Sequence, residues 1–337
     1  MRSFLTRLSP GRGSSSKRGP KDNIDGAQAQ GSHLVDESVR RGHEFLRRNA
    51  RKMASVTDTG TAVKDNFAQL LILESTRDWD LVAFEFHART WNYFIGAPVG
   101  TTAAFPDDVD TTSYALKLLP VDTGIASSVL DEMLAAGHTT AEGIITVYFD
   151  YGPAHGGHTD PAVCVNVLRC FYAHARGADP ALAPTKALVL ATLRDGAYAR
   201  GTRYYPSPDA FLYFLARLVA EHPASDLAGD ARELLHARLA ERTDADGDAL
   251  ELAMRLVALR LLGAGVVYDG GDGDGDGDGA SRAPVRRLLG MQEDDGGWQT
   301  GWLCRYGHTG MRLGNRYLTS ALAIEALGAL ALPKDSR

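Results

Sequence analysis

Six stretches of this chain repeat apolar residues at three- and four-residue spacing, and the apolar faces differ in width. Residues 33–51 set Leu34, Val39, Phe45 and Leu46 among charges, and residues 61–75 carry Phe67, Leu70, Leu71 and Leu73. Val163, Val167 and Phe171 recur at fourfold spacing within 160–176. Residues 208–221 place Phe211, Phe214, Leu215 and Leu218; residues 248–262 place Leu250, Met254, Val257 and Leu261. Residues 315–332 are apolar on nearly every side. The spacing predicts helices. A helix apolar all round is buried, whereas one with a single stripe lies outside. The mixture therefore predicts an all-α chain with an inner and an outer ring of helices. Ser207-Pro208 supplies a cap and a proline for the first helical turn, and Asp107 or Asp108 can cap a helix beginning near Val109. There is no regular β alternation and no βαβ order, so a parallel sheet is not expected.

Composition narrows the function classes. The chain has 337 residues, 44% hydrophobic and 23% charged, which is enough for one large core or two small ones. A net charge of −6 argues against a nucleic-acid partner. No run of apolar residues is long enough to span a membrane. Residues 1–30 are basic, rich in Ser, Gly and Pro near the start, and lack the apolar segment of a secretory signal, so they read as a disordered tail before a single domain over 31–333. The Asp-Gly alternation around 269–280 reads as a flexible acidic loop. A calcium loop framed from Asp272 has Ala283 where the bidentate Glu belongs, and one framed from Asp244 has Arg255 there. His155 and His158, near Asp150 and Asp160, are separated by glycines that favour a flexible loop over a zinc site, and no metal ligands are assigned. Three cysteines (Cys164, Cys170 and Cys304) without a C-x-x-C pair fit a reducing cytoplasm.

Asp108, Asp110, Thr111 and Thr112 form D-x-D-T-T at the predicted helix start. Protonating an isolated alkene needs a strong acid that is still protonated at rest, and an exposed Asp is ionised at neutral pH. Burial and a neighbouring carboxylate raise the pKa, and a helix N-terminus stabilises the carboxylate left after transfer. Asp110 is therefore assigned as the general acid. Asp108 is its partner, expected to hydrogen-bond the far oxygen of Asp110, and Thr111 adds a hydroxyl in the same turn. Asn166, an amide in mid-helix, needs a partner if buried; it is a candidate for the acid pair, with a satisfied core amide as the alternative. An acidic helix cap without chemistry is the competing account of the tract. D-x-D-x-T also occurs as the nucleophile motif of haloacid-dehalogenase-type phosphatases, but that motif needs an apolar strand before it, and here Pro106 interrupts one.

Far downstream, Gln292–Trp298 reads Q-x-x-D-G-G-W. With both tracts, the chain resembles the class II terpene cyclases, whose members include squalene–hopene cyclases and the β-domains of diterpene cyclases. D-x-D-T-T looks like the variant of their D-x-D-D motif found in drimane-type sesquiterpene cyclases. Q-x-x-D-G-G-W looks like their Q-W motif, a clamp between helices. The resemblance runs from about residue 32 to 332, through Asp160–Asn166, Gly201–Asp209 and Gly307–Leu322. It extends to cyclase-like proteins of fungi and bacteria, some fused to a phosphatase domain.

The resemblance implies an (α/α)6 barrel, or toroid, and an enzyme that cyclises a linear prenyl diphosphate, farnesyl diphosphate first among them, to a bicyclic drimane-type diphosphate. Magnesium is expected with the diphosphate; Glu293-Asp294-Asp295 is the acidic candidate, though its place in the Gln–Trp turn favours a structural role. With no phosphatase domain and no D-D-x-x-D cluster in the chain, the product is expected to keep its diphosphate unless a separate phosphatase removes it. A prenyl- or lipid-binding barrel without turnover is the alternative.

Carbocations call for an apolar cavity with aromatic faces. Among many aromatics, Trp91, Phe149, Tyr204 and Trp302 are the choices, because Gly- or Pro-containing segments near them could face a barrel mouth. Diphosphate calls for cations and donors. Arg203, Arg305, Arg312 and Arg316 are the candidates, against the alternative of a solvated basic face.

Overall fold

The computed structural model describes residues 20–150, 157–264 and 282–328. Helix α1 (Pro20–Arg48) leads into strands β1 (Ser55–Thr57) and β2 (Ala62–Val63), then α2 (Asn66–Thr76), α3 (Val109–Leu118) and α4 (Thr123–Leu134). Next come α5 (Pro161–Ala173), α6 (Ala183–Arg194), α7 (Pro208–Glu221), α8 (Asp226–Ala240), α9 (Ala249–Leu261) and α10 (Arg282–Gly290). Strands β3 (Trp302–Arg305) and β4 (Arg312–Gly314) precede α11 (Arg316–Gly328).

Among the described residues eight α-helices start on a side chain that accepts first-turn N–H groups; Asp122 and Ser225 do so for α4 and α8, and the other six form one layer. Asp65, Asp108, Asp160, Ser207 and Asp248 do so for α2, α3, α5, α7 and α9. Asn315 does so for α11, accepting from Tyr317 and Leu318. These six pack in sequence, α2 on α3, α3 on α5, then α7, α9 and α11, and α11 returns to α2. Against them lie α1 on α11, α6 on α5, α8 on α7 and α10 on α9. Burial follows the two-layer pattern. In α7 every residue from Asp209 to Val219 is buried, whereas α8 buries only Leu227, Ala228, Ala231, Leu235 and Leu239. The chain is mostly helical, as its periodicity predicts.

The all-α expectation needs one correction. The four short strands form an antiparallel sheet in the order β2-β1-β4-β3, with Val56 opposite Gly314 and Arg305 opposite Arg312. The helix predicted over 61–75 starts only at Asn66, its first residues being β2. Helix α1 begins at Pro20, inside the stretch assigned to the tail; residues 1–19 and the 269–280 loop lie outside the described residues.

The C-terminal ends of that six-helix layer carry buried ion pairs. Glu74 of α2 accepts from Lys117 of α3 at 2.8 Å and Arg169 of α5 at 2.6 Å, and Arg169 also reaches Glu221 of α7 at 2.8 Å. Burial opposes ionisation of Glu74, but Arg169 and Lys117 outweigh it and hold the carboxyl well below its usual range. Cations at helix C-termini also suit the helix dipole.

The Gln292–Trp298 turn fastens the outer layer. Gln292 donates to the Ser38 carbonyl of α1 at 2.8 Å and accepts from the Ser38 hydroxyl at 2.9 Å. The Trp298 indole is fully buried and donates to the Leu288 carbonyl of α10 at 2.7 Å, and its backbone N–H donates to Ser320 of α11. Replacing Trp298 with alanine removes a fully buried ring and orphans a buried carbonyl. We expect it to lower the unfolding free energy by about 3–5 kcal/mol, read from urea denaturation. A loss under about 1 kcal/mol would show that the site collapses and the clamp is dispensable.

Candidate active site

Helix α3 begins where the loop after Phe105-Pro106 turns inward. Asp108 sits at the cap in extended conformation, and its Oδ1 accepts the Thr111 N–H at 2.6 Å. Asp110 is the second helical residue, so both carboxyls lie at the positive end of the helix dipole. Each is only 6% exposed.

The two carboxyls are held differently. Both oxygens of Asp110 are engaged: Asn166 Nδ2 of α5 donates to Oδ1 at 2.9 Å, and the Tyr205 hydroxyl donates to Oδ2. Asp108 Oδ2 is buried with no hydrogen-bond partner, as is the hydroxyl of Thr111. The expected Asp108–Asp110 hydrogen bond is thus not formed. Capping turns Asp108 back onto its own helix, while Asp110 points across to α5 and the segment before α7. The Thr112 hydroxyl serves the fold instead, accepting the Trp91 N–H at 2.8 Å.

Burial pushes Asp110 up to about 7 against the pull of the Tyr205 and Asn166 donors, with Asp160 adding to the rise. Burial also pushes Asp108 up to about 8, opposed by the Thr111 N–H and reinforced by Asp110 and Asp107. Both groups can therefore hold a proton near neutrality.

A cavity of about 560 Å³ opens over the pair, within the ~300–1,000 Å³ typical of small-molecule sites. Aromatic walls dominate: Phe67, Tyr93, Phe105, Tyr148, Tyr204, Tyr205 and Tyr306 all line it. Their arrangement is edge-to-face in places, with Tyr148 and Tyr204 centroids 6.0 Å apart at 89°. Three capped helices aim their first turns at this space, through Phe67 of α2, Asp108, Asp110 and Thr111 of α3, and Val163 of α5. Arg203, His158 and His308 line it as well. The Arg203 guanidinium approaches His158 Nε2 at 3.3 Å.

Asp110, Asp108, Thr111, Asn166, Arg203, Tyr204 and Arg305 come together here as the sequence suggested, although Asn166 reaches the site through Asp110 and does not line the cavity. Arg305 is half committed, donating to the carbonyls of Thr202 at 2.7 Å and Arg203 at 3.0 Å, so it braces the segment that carries Tyr204. Five further candidates do not line the cavity. Trp91 is buried among Phe84, Phe86 and His87. Phe149 packs against His138. Trp302 lies under Arg312 at 4.7 Å, and Arg312 also faces Asp58. Arg316 is clasped by Asp295 and Glu293. These side chains stabilise turns and sheet edges.

Tyr205 is a site residue that the sequence does not single out: its contact with Asp110 joins residues 95 apart, and no local pattern announces it. The acidic magnesium candidate does not fit an ion site, because Glu293 and Asp295 are taken by Arg316. No cluster of three His, Cys, Asp or Glu suited to a metal occurs among the described residues. The three cysteines are free buried thiols. No helix among the described residues is long and apolar enough to cross a membrane.

Residues 39–174 match the family model of the sesquiterpene cyclase astC-like C-terminal domain. The chain is 39% identical to drimenol cyclase drtB of Aspergillus calidoustus over 303 residues, covering 90% of this chain and 53% of that protein. It thus spans about half the length of the curated relative it matches. Among solved structures, type II terpene cyclase MstE from Scytonema, in complex with geranylgeranyl dihydroxybenzoate, aligns with a TM-score of 0.58 at 14% identity, over 89% of this chain and 98% of that one. A protein from Actinoplanes aligns with a TM-score of 0.57 at 19% identity, over 88% of this chain and 100% of that one. At such low identity the structural likeness bears on the fold alone.

Proposed function

We propose, from its match to the AstC-like sesquiterpene cyclase C-terminal domain, its likeness to drimenol cyclase drtB and a fold shared with type II terpene cyclases, that the chain is a class II terpene cyclase acting on a linear prenyl diphosphate. One observation carries the reading: a buried carboxyl, pushed up to about 7 and pinned at a helix N-terminus, faces an aromatic-walled cavity. The returning order of the six helices α2, α3, α5, α7, α9 and α11 supports an α/α toroid over 31–333 as its scaffold.

Asp110 gives its proton to the terminal alkene of farnesyl diphosphate. The resulting tertiary cation is attacked by the next alkene, and that cation by the third, closing two rings without breaking the carbon–oxygen bond. Loss of a proton from the last cation restores the charge balance and leaves a bicyclic drimane-type diphosphate. Asn166 and Tyr205 hold the Asp110 carboxylate after transfer and so lower the cost of giving up the proton. The aromatic faces lie along the cation's path. Arg203 is the cation placed to meet the diphosphate, with Arg305 bracing its segment. Magnesium would enter with the substrate's diphosphate and offset its charge. Release of the alcohol would require a phosphatase step after cyclisation. The three free thiols favour a reducing compartment such as the cytoplasm.

Incubation with farnesyl and geranylgeranyl diphosphates, followed by added phosphatase and mass spectrometry, tests the reading. A bicyclic alcohol that appears only after phosphatase treatment supports it. Linear alcohols alone would transfer the weight to a binding barrel without turnover. Free alcohol before phosphatase is added would contradict retention of the diphosphate.

A further inference from the structure

Helices α4, α6, α8 and α10 follow α3, α5, α7 and α9 in the chain, but α2 is followed by no helix; residues 77–108 run as loop to α3. That loop carries two of the three large hydrophobic side chains exposed among the described residues, Trp79 at 46% and Phe86 at 68%. They are one patch, because Phe84 meets both edge-to-face, with centroids 6.3 Å from Trp79 and 5.8 Å from Phe86.

A second cleft of about 330 Å³ adjoins the patch and shares Phe84 with it. Arg51, Lys52 and Lys64 line this cleft over a floor that includes Met53 and Ile95, and no acidic residue lines it. In a chain of net charge −6 this is a local inversion of sign. Acids do occur nearby: Asp80 faces Arg51 at 3.6 Å from a fully solvated position, and Glu85 accepts from the Gly96 N–H. Neither neutralises Lys52 or Lys64.

We propose that this face docks the protein on an anionic phospholipid surface. Trp79 and Phe86 enter the headgroup boundary, and Arg51, Lys52 and Lys64 engage lipid phosphates. Rings with exposed edges beside snorkelling cations are the combination that interfacial binding uses. The cleft offers cations above an apolar floor, which matches a phosphate joined to glycerol and acyl chains. The position is also apt: Tyr93 lines the large cavity and Ile95 the cleft, so one short segment separates them. The proposal stands on this surface alone and does not depend on the catalytic reading.

Residues 1–19 carry Arg2, Arg7, Arg12, Lys17 and Arg18, which could bind anionic vesicles by themselves. The test therefore uses the full chain with those five changed to glutamine. Sedimentation with phosphatidylcholine vesicles, with and without phosphatidylserine, is compared for this background, for Trp79→Ser/Phe86→Ser and for Lys52→Glu/Lys64→Glu. We expect the background to bind phosphatidylserine vesicles with a blue shift of tryptophan emission, and binding to weaken with salt. Each double variant should reduce partitioning by roughly tenfold or more while its thermal melting stays unchanged. Binding that vanishes with the five tail changes, or that ignores both double variants, overturns the proposal. So does self-association of the background that only the patch variants abolish, which would assign the face to a second copy.

Discussion

Replacing Asp110 with asparagine is expected to lower kcat by about 10³-fold or more while leaving substrate affinity within a few-fold, because only the transition state uses the proton. The exchange is nearly isosteric, and the site can absorb it. Tyr205 can still donate to the amide oxygen. Asn166 now presents its Nδ2 to Asp110, and its own Oδ1 is buried without a partner. A turn of the Asn166 amide would let that oxygen accept from the new amide, so folding should survive. Single-turnover kinetics beside equilibrium binding separates the outcomes. Retention of kcat within about tenfold would remove Asp110 from the chemistry. Asp108→Asn belongs in the same experiment. Asp108 is also buried at the cavity and its Oδ2 has no hydrogen-bond partner, so complete loss there with activity kept in Asp110→Asn would reverse the two roles.

Much of the helical frame could be read from the chain because burial on most sides writes apolar residues densely. The α7 segment was predicted at 208–221 and occupies Pro208–Glu221. The outer helices are harder to see. Helix α8 fixes itself with five buried residues, two of them alanine, among charges that its solvent face demands. The strands are two to four residues long, too short for a period-two signal to build. Their pairing is set by distant partners: β1 and β4 lie on either side of nearly the whole helical array in sequence.

The site divides in the same way. Asp108, Asp110 and Thr111 share one helical turn, so their convergence is local and legible. Asn166 could be suspected because a buried amide needs a partner. The cavity walls are tertiary facts. Trp91 sits near flexible-looking sequence yet packs under the Trp79–Phe86 loop, whereas Phe67 looks like ordinary helix core and faces the cavity. Arg316 resembled a free cation until the fold brought Asp295 and Glu293 to it. Charge type is visible in a sequence; charge pairing across 20 residues or more is not.

Turnover and stability should both fall as pH rises through 7 to 8. Asp110 is pushed up to about 7 and Asp108 up to about 8, so the protonated acid disappears across that window. The charge of Asp110 adds to the rise of Asp108, so Asp110 is the first of the two to lose its proton as pH climbs. We expect kcat/KM to be flat below about pH 6 and to drop about tenfold per unit above the window. The stability effect has the same sign. Each folded pKa lies above the ordinary value of 3.8, so the folded state holds protons that the unfolded chain releases. The contribution is full below about pH 4 and is lost as pH rises through the folded pKa. For Asp110 the rise of about three units corresponds to about 4 kcal/mol. Asparagine cannot ionise, so Asp110→Asn should gain stability relative to the parent protein by about 4 kcal/mol between pH 4 and pH 8. Other buried carboxyls, such as Asp65 and Glu74, titrate in both proteins and cancel in the difference. Urea unfolding of the two proteins across this range measures the gap directly. A gap that does not change with pH would mean that Asp110 is ionised throughout, and an acid ionised at rest has no proton to give an alkene.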